Sequence, residues 1–392
     1  MAAGMPRTVW LLGLVSLLND TASEMVYPLL PLFVVTVLGA GPRVLGLIEG
    51  LADAVASLLK LVSGAVYDRT RRAKPWVLWG YGIAGLTRPL IGIIVAWPAL
   101  LCLRVLDRIG KGLRSSPRDA LLAASAGPQR RGLAFGFHRA MDNLGGVVGP
   151  LIATALLAAG FEVAEVFMLS IVPAVLVLVM CAFLREPDAL PPSTRPPLRW
   201  RWRELPAAYR RYLLVLGLFT IGNASHLFVL LRARELGLSE AQVPLAWAVI
   251  GLTAAVLLAP LSALSDRIGR KRLIVSGWLL HAVVYVALGL WSDPAAAIWL
   301  VLVAHGLFIA STEGAEKALV ADLAHVSATG SAFGWYHLVL GLMVLPGSIL
   351  FGWLWETVAP SLAFGFGATC AVLAALLLWT WVPAPPVDAA QR

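Results

Sequence analysis

The chain has 392 residues, 59% of them hydrophobic and only 14% charged, and its mean hydropathy is +0.82. That balance excludes a soluble globular domain and reads as a polytopic membrane protein, since each span takes about 20 apolar residues and short loops leave room for about a dozen. The net charge of +9 would suggest nucleic acid in a soluble chain, but in a membrane protein it has to be read by where the charges lie. Long apolar runs without alternation argue against a barrel, so the spans are helices that satisfy their own backbone hydrogen bonds. Cys102, Cys181 and Cys370 lie in apolar segments with no paired spacing, which indicates neither a disulfide framework nor a metal site.

In chain order, helices are expected near 8–37, 44–66, 75–96, 99–121, 132–158, 163–184, 211–235, 241–264, 272–291, 296–321, 331–356 and 361–382. The first apolar run is as long as a full span and carries Asp20 and Glu24, so it reads as a helix and not as a cleavable signal. Asp20 and Glu24 lie one turn apart on one face, followed by Pro28 and Pro31. Two carboxylates in a dry site repel, and one is expected to hold a proton, which makes them the leading proton-coupling residues. Permanent pairing with Arg104, Arg108 or Arg139 is the competing reading. The second helix adds Glu49 and Asp53, again four apart, and Lys60; the third carries Arg88.

The stretch RVLDRIGKGLRSSPRD, Arg104 to Asp119, organises the rest. At about 100° per residue, Arg104, Asp107, Arg108, Lys111, Arg114 and Arg118 fall within roughly 120° of arc. Such a stripe cannot face hydrocarbon, where each charge costs at least about 2.5 kcal/mol, so it is expected to face a bundle interior or a wet cavity. The bland alternatives are early emergence into the cytoplasm or ion pairs that fix packing. The fifth helix contributes His138, Arg139 and Asp142. A lone histidine such as His138 is more often packed than a proton relay.

Alternate connections are basic: Arg69 to Lys74, Arg130 and Arg131, Arg185 to Arg211, and Arg267 to Arg272. The positive-inside rule then puts both termini in the cytoplasm. The proline-rich, arginine- and tryptophan-interleaved segment 185–210 reads as a linker at headgroup level between units 1–184 and 211–392. The units repeat: Asp68-Arg69 recurs as Asp266-Arg267, Phe135-Gly136 as Phe333-Gly334 and Ala120-Leu121 as Ala318-Leu319, each 198 residues on. In such a duplication the binding site lies between the halves near mid-membrane. The second half is far less charged; His226, Glu313, Tyr336 and His337 are its candidate polar contacts, with Glu316 and Lys317 beside them and Trp247, Trp278 and Trp335 as possible walls.

GAVYDRTRRAK, from Gly64 to Lys74, resembles the loop motif G-x-x-x-D-R-x-G-R-[RK] of major facilitator superfamily transporters, with Thr70 and Arg71 departing from its middle. SALSDRIGRKR, from Ser262 to Arg272, is the fuller second copy, with Ser262 in place of a glycine. The resemblance covers the whole chain and implies an all-α membrane fold of twelve helices in two pseudo-symmetric six-helix halves. It also implies ion-pair latches, from Gly64, Asp68 and Arg69 in one half and Asp266, Arg267, Gly269 and Arg270 in the other, that open during the cycle.

The fifth helix, GFHRAMDNLGGVVGPLIAT, carries Gly136, Gly145, Gly149 and Pro150 at the spacing G-x8-G-x3-G-P, which resembles the exporter signature of drug/proton antiporters. Ala153 and Thr154 stand where that pattern has two more glycines. Small residues allow close helix approach, and the proline bends the helix at a gate. The resemblance therefore implies a monomeric, proton-coupled antiporter exporting a small organic molecule across a bacterial inner membrane, with a proton gradient in place of a cofactor. Its expected substrate contacts are Arg88, Arg104, Asp107, Arg108, Lys111, His138, Arg139 and Asp142, with His226, Glu313, Tyr336 and His337 opposite. The alternative is an importer or exchanger of an organic anion, such as a siderophore-like carboxylate clamped by the arginines and Lys111. The chain has no HExxH, GxSxG, CxxC or P-loop pattern that would suggest an enzyme, and no appended soluble domain that would suggest a sensor.

Overall fold

The computed structural model describes residues 6–70, 72–126, 131–185, 202–290, 296–323 and 329–383; within those helices, the side chains at 61, 64–70, 123, 131–133, 204, 296 and 329–331 lie outside the described set. Among the described residues the regular structure is helical throughout and forms twelve spans. The first half holds α1 (Arg7–Val26, prolonged by Tyr27–Leu29, Leu30–Leu32 and Phe33–Val37), α2 (Pro42–Thr70), α3 (Lys74–Leu90), α4 (Trp97–Ala126), α5 (Arg131–Ala158) and α6 (Val163–Ala182). The second holds α7 (Ala207–Gly222, resumed as Leu227–Glu235), α8 (Gln242–Ile268), α9 (Arg270–Leu290), α10 (Ala296–Leu323), α11 (Thr329–Thr357) and α12 (Pro360–Trp381).

Eight of these helices, α5 to α12, are long and apolar enough to cross a membrane by length and composition. The others fall short because α3 has only 17 residues and α1, α2 and α4 carry ionisable residues along their length. Within the first half α1 packs on α5 and α6, α2 on α4, and α3 on α4 and α6; within the second, α7 packs on α11 and α12, α8 on α10, and α9 on α10 and α12. The halves meet through α2 against α11 and α5 against α8. The first of these seams is tight because glycines let backbones touch: a side chain at Gly46 would strike the Ser348 carbonyl, and one at Gly352 would strike Pro42 and Arg43. Glu356 Oε2 also accepts a hydrogen bond from the Arg43 N–H at 3.1 Å. The bundle is thus closed at the end that carries the α1–α2 and α11–α12 turns.

Two expected helices are sharply interrupted, and a third, 163–184, pauses at Ser170 between Val163–Leu169 and Ile171–Ala182. The run 8–37 changes at Tyr27 to a short 3-10 turn and ends in a π turn over Phe33–Val37, because Pro28 and Pro31 bring no N–H to the ladder. The run 211–235 starts earlier, at Ala207, and breaks between Gly222 and Leu227. At membrane depth an irregular backbone is tolerated only where protein or a cavity receives it, and the Asn223–His226 break opens on the central cavity. Of the linker, residues 186–201 lie outside the described residues, while Trp202 packs edge-on to Trp335 at 5.3 Å.

Candidate functional site

A cavity of about 410 Å³ lies between the halves, bounded by Tyr27, Asp53, Lys60 and Lys111 on one side and by the α7 break, α10 and α11 on the other. Most of the helix-4 stripe does not face it. Arg88 binds Asp107 at 2.9 Å and donates to the backbone and side-chain oxygens of Asn19 at 3.1 Å. Arg104 holds Glu49 through a two-nitrogen fork at 2.7–2.9 Å and lies 3.5 Å from Asp107. Arg108 lies 3.3 Å from Asp53, 3.7 Å from Asp107 and 3.9 Å from Glu49. Three guanidiniums and three carboxylates thus neutralise one another. Burial of a charge at this depth, with Glu49 and Asp107 each 1% exposed, requires such pairing. Further along the stripe Arg114 lies over the Tyr81 ring at 4.5 Å, and Arg118 pairs with its neighbour Asp119 at 2.9 Å.

Asp20 and Glu24 are arranged differently. Asp20 accepts a hydrogen bond from Asn19 Nδ2 at 2.8 Å, and Glu24 accepts one from Trp247 Nε1 of α8, across the seam, at 2.7 Å. Among the described residues neither has a cation in ion-pair contact. The glycines of α5 explain how they are placed. A side chain on Gly145 would strike the Leu17 carbonyl and Asp20 Cβ; one on Gly149, a turn later, would strike the Thr21 carbonyl and Glu24 Cβ. The two small residues therefore seat the α5 backbone on the two carboxylate turns of α1. Gly136, which starts the same spacing, has no neighbour within 4 Å of such a position, and α5 runs unbroken through Pro150.

The remaining expected contacts split between the halves. Asp142 accepts from Ser16 Oγ and lies 3.5 Å from His138 Nδ1 and 4.0 Å from Arg139. Arg139 crosses to Glu313 at 2.7 Å, and Glu313 is also paired with Lys317 at 2.9 Å. His337 lines the cavity beside Tyr336, whose hydroxyl donates to Glu316 at 3.0 Å; Trp278 Nε1 donates to the other Glu316 oxygen at 3.1 Å. His226 Nδ1 lies 3.1 Å from His305 Nε2. Sequence reasoning did not single out His305 or His281, both fully buried among Phe219, Phe308 and Tyr285; in apolar helices only a residue-by-residue count of histidines marks them.

The Gly64, Asp68 and Arg69 side-chain positions lie outside the described residues. In the second copy Arg270 pairs with Asp266, reaches Asp322 of α10 at 3.2 Å and donates to Ser265 Oγ at 3.0 Å. Arg267 is exposed, and Gly269, at φ +98°, makes the abrupt α8–α9 junction that a side chain would strain. A further echo of the repeat sits beside these motifs. Lys74 donates to the Ala182 carbonyl at 2.9 Å and Lys271 to the Trp379 carbonyl at 2.6 Å, so that each lysine caps the last helix of its half.

Two six-helix halves around a central charged cavity, each opening on a broken helix, define a secondary-carrier fold. The family model of the Major Facilitator Superfamily matches residues 12–231 and 212–391. An uncharacterized MFS-type transporter of Methanocaldococcus jannaschii is 30% identical over 95% of this chain and 94% of its own length. The multidrug resistance protein MdtH of Photorhabdus laumondii is 28% identical over 85% of this chain and 82% of its own. Among solved structures, a POT family transporter in complex with 5-aminolevulinic acid is similar in fold, with a TM-score of 0.81, 14% identity and coverage of 98% of this chain and 97% of that one. The chain belongs to the Major Facilitator Superfamily, as a multi-pass membrane transporter.

Proposed function

We propose that this protein is a proton-coupled antiporter that exports a small organic molecule across a bacterial inner membrane by alternating access. The observation that carries the reading is the pair Asp20 and Glu24, which among the described residues sit without ion pairs on the helix seam where α5 presents its two glycines. Either carboxylate can exchange a proton without stranding a buried arginine, whereas Glu49 and Asp53 each hold one. Glu24 also bridges the halves. Its bond from Trp247 is charge-assisted while the carboxylate is ionised and weakens on protonation, so proton loading loosens one of the contacts that the halves must break.

With the basic loops in the cytoplasm, the closed end of α2 and α11 faces outward. The likeness to a multidrug resistance protein supports the export direction. The test is flux into proteoliposomes over a panel of metabolites and drugs, with and without an imposed pH gradient. Gradient-dependent movement of at least one solute is expected. Movement that ignores the gradient for every solute would overturn the coupling, and no flux of any solute would overturn the carrier reading.

A further inference from the structure

Among the described residues that line the cavity, two cations have no ion-pair partner. Asp53 is met by Arg108, and Glu313 by Arg139 and Lys317. Glu316 accepts one hydrogen bond on each oxygen. Asp20 and Glu24 are outside ion-pair reach of any described cation, and their printed hydrogen bonds come from Asn19 and Trp247. Lys60 and Lys111 both line the cavity, and among the described residues neither ammonium has a carboxylate within ion-pair distance. They come from neighbouring turns of α2 and α4, which are locked together there by Ser63 Oγ on the Gly112 carbonyl at 2.8 Å and Ser116 Oγ on the Lys60 carbonyl at 3.0 Å. The wall contributed by the second half is mixed: Phe219, stacked on Trp278 at 4.4 Å, and Phe308 form its apolar part, beside Glu313, Glu316, Tyr336 and His337.

We infer that the cavity receives an amphipathic organic acid, its anionic group between Lys60 and Lys111 and its apolar body against Phe219 and Phe308. Two ammonium groups on one wall of a cavity add their fields and attract an oxyanion placed between them. Lysine is a point charge with three rotatable donors, so the site takes a carboxylate, sulfonate or phosphate without the fixed fork that an arginine demands. The arginines that the sequence suggests as an anion clamp are already committed: Arg88, Arg104 and Arg108 to Asp107, Glu49 and Asp53, and Arg139 to Glu313. This assignment rests on the carrier reading above but not on the direction of transport.

The experiment is equilibrium binding to the purified full-length protein in lipid nanodiscs, read by tryptophan fluorescence, of three probes of one shape: naphthoate, naphthylmethanol and naphthylmethylammonium. Naphthoate is expected to bind at least about tenfold tighter than the other two, an advantage lost in Lys60→Gln and in Lys111→Gln. Naphthylmethanol binding should stay constant throughout. A tighter ammonium probe, equal affinities in the wild type, or naphthoate binding that both glutamine variants leave unchanged would each overturn the assignment. The wild-type ranking decides even if a variant does not fold. A reversed ranking together with gradient-driven flux strikes the anion assignment alone, whereas absence of all flux strikes the carrier reading.

Discussion

The two halves share one topology and solve the interior by opposite means. The first half is filled with charge: Arg88, Arg104 and Arg108 against Glu49, Asp53 and Asp107, with Arg114 on Tyr81. The second is filled with rings: Phe219 on Trp278, His281 on Tyr285, and Phe351, Trp355 and Phe364 packed on one another. Aromatic packing tolerates single changes, because each contact is small and many are made. An ion-pair network does not, because removing one member leaves its partner buried and unpaired. The proposed proton-dependent chemistry falls in the half whose interior already handles charge, and the ring-filled half would supply shape.

That contrast is broken most easily at Arg104. Arg104→Met leaves Glu49 without its fork in a site 1% exposed and is expected to cost about 3–5 kcal/mol in unfolding measured in detergent. Adding Glu49→Gln should restore part of that loss; equal costs for the single and double variants would remove the network from the account. A smaller effect belongs to the seam of α1 and α5. Gly145→Val or Gly149→Val should cost about 1–3 kcal/mol by forcing the helices apart, while Gly136→Ala, with open space around it, should stay within about 0.5 kcal/mol.

In the ring-filled half, His281 is fully buried, and among the described residues neither ring nitrogen has a hydrogen-bond partner. His281→Phe should therefore lie within about 1 kcal/mol of wild type or be stabilising, since an apolar ring of similar shape removes two unmet polar atoms. A loss as large as that of Arg104→Met would end the distinction between the halves. The smallest thermodynamic effect is expected at Asp266, whose side chain is 62% exposed. Asp266→Asn should cost less than about 1 kcal/mol yet shift cysteine labelling between the two faces of the bundle, because its pair with Arg270 reads as a latch.

Much of this was legible in the sequence. Twelve apolar segments, the 198-residue repeat and the two loop motifs are one-dimensional signals, and they correspond to the helices and to the family. The stripe on α4 was legible as an amphipathic face but not as a set of pairs, because helical periodicity gives direction and not the identity of the neighbour. Only the packing of α2 and α3 on α4 shows that Glu49 and Asp107 meet Arg104 and Arg88, and that Lys111 is left for the cavity. The break in α7 escaped because Gly222-Asn223 is a modest local signal, which a long apolar run overrides on paper. The cross-half bond of Trp247 to Glu24 joins residues 223 apart in the chain and had no local signature at all.

Whether Asp20 and Glu24 carry the proton is decided by transport in proteoliposomes of Asp20→Asn and Glu24→Gln. The probe is the solute that the wild type moves in response to a pH gradient. Each variant is expected to lose gradient-driven accumulation while retaining exchange of labelled for unlabelled solute, since the cavity contacts remain. Gradient-driven accumulation and an unchanged pH dependence in both variants would contradict the account and move the coupling to another group.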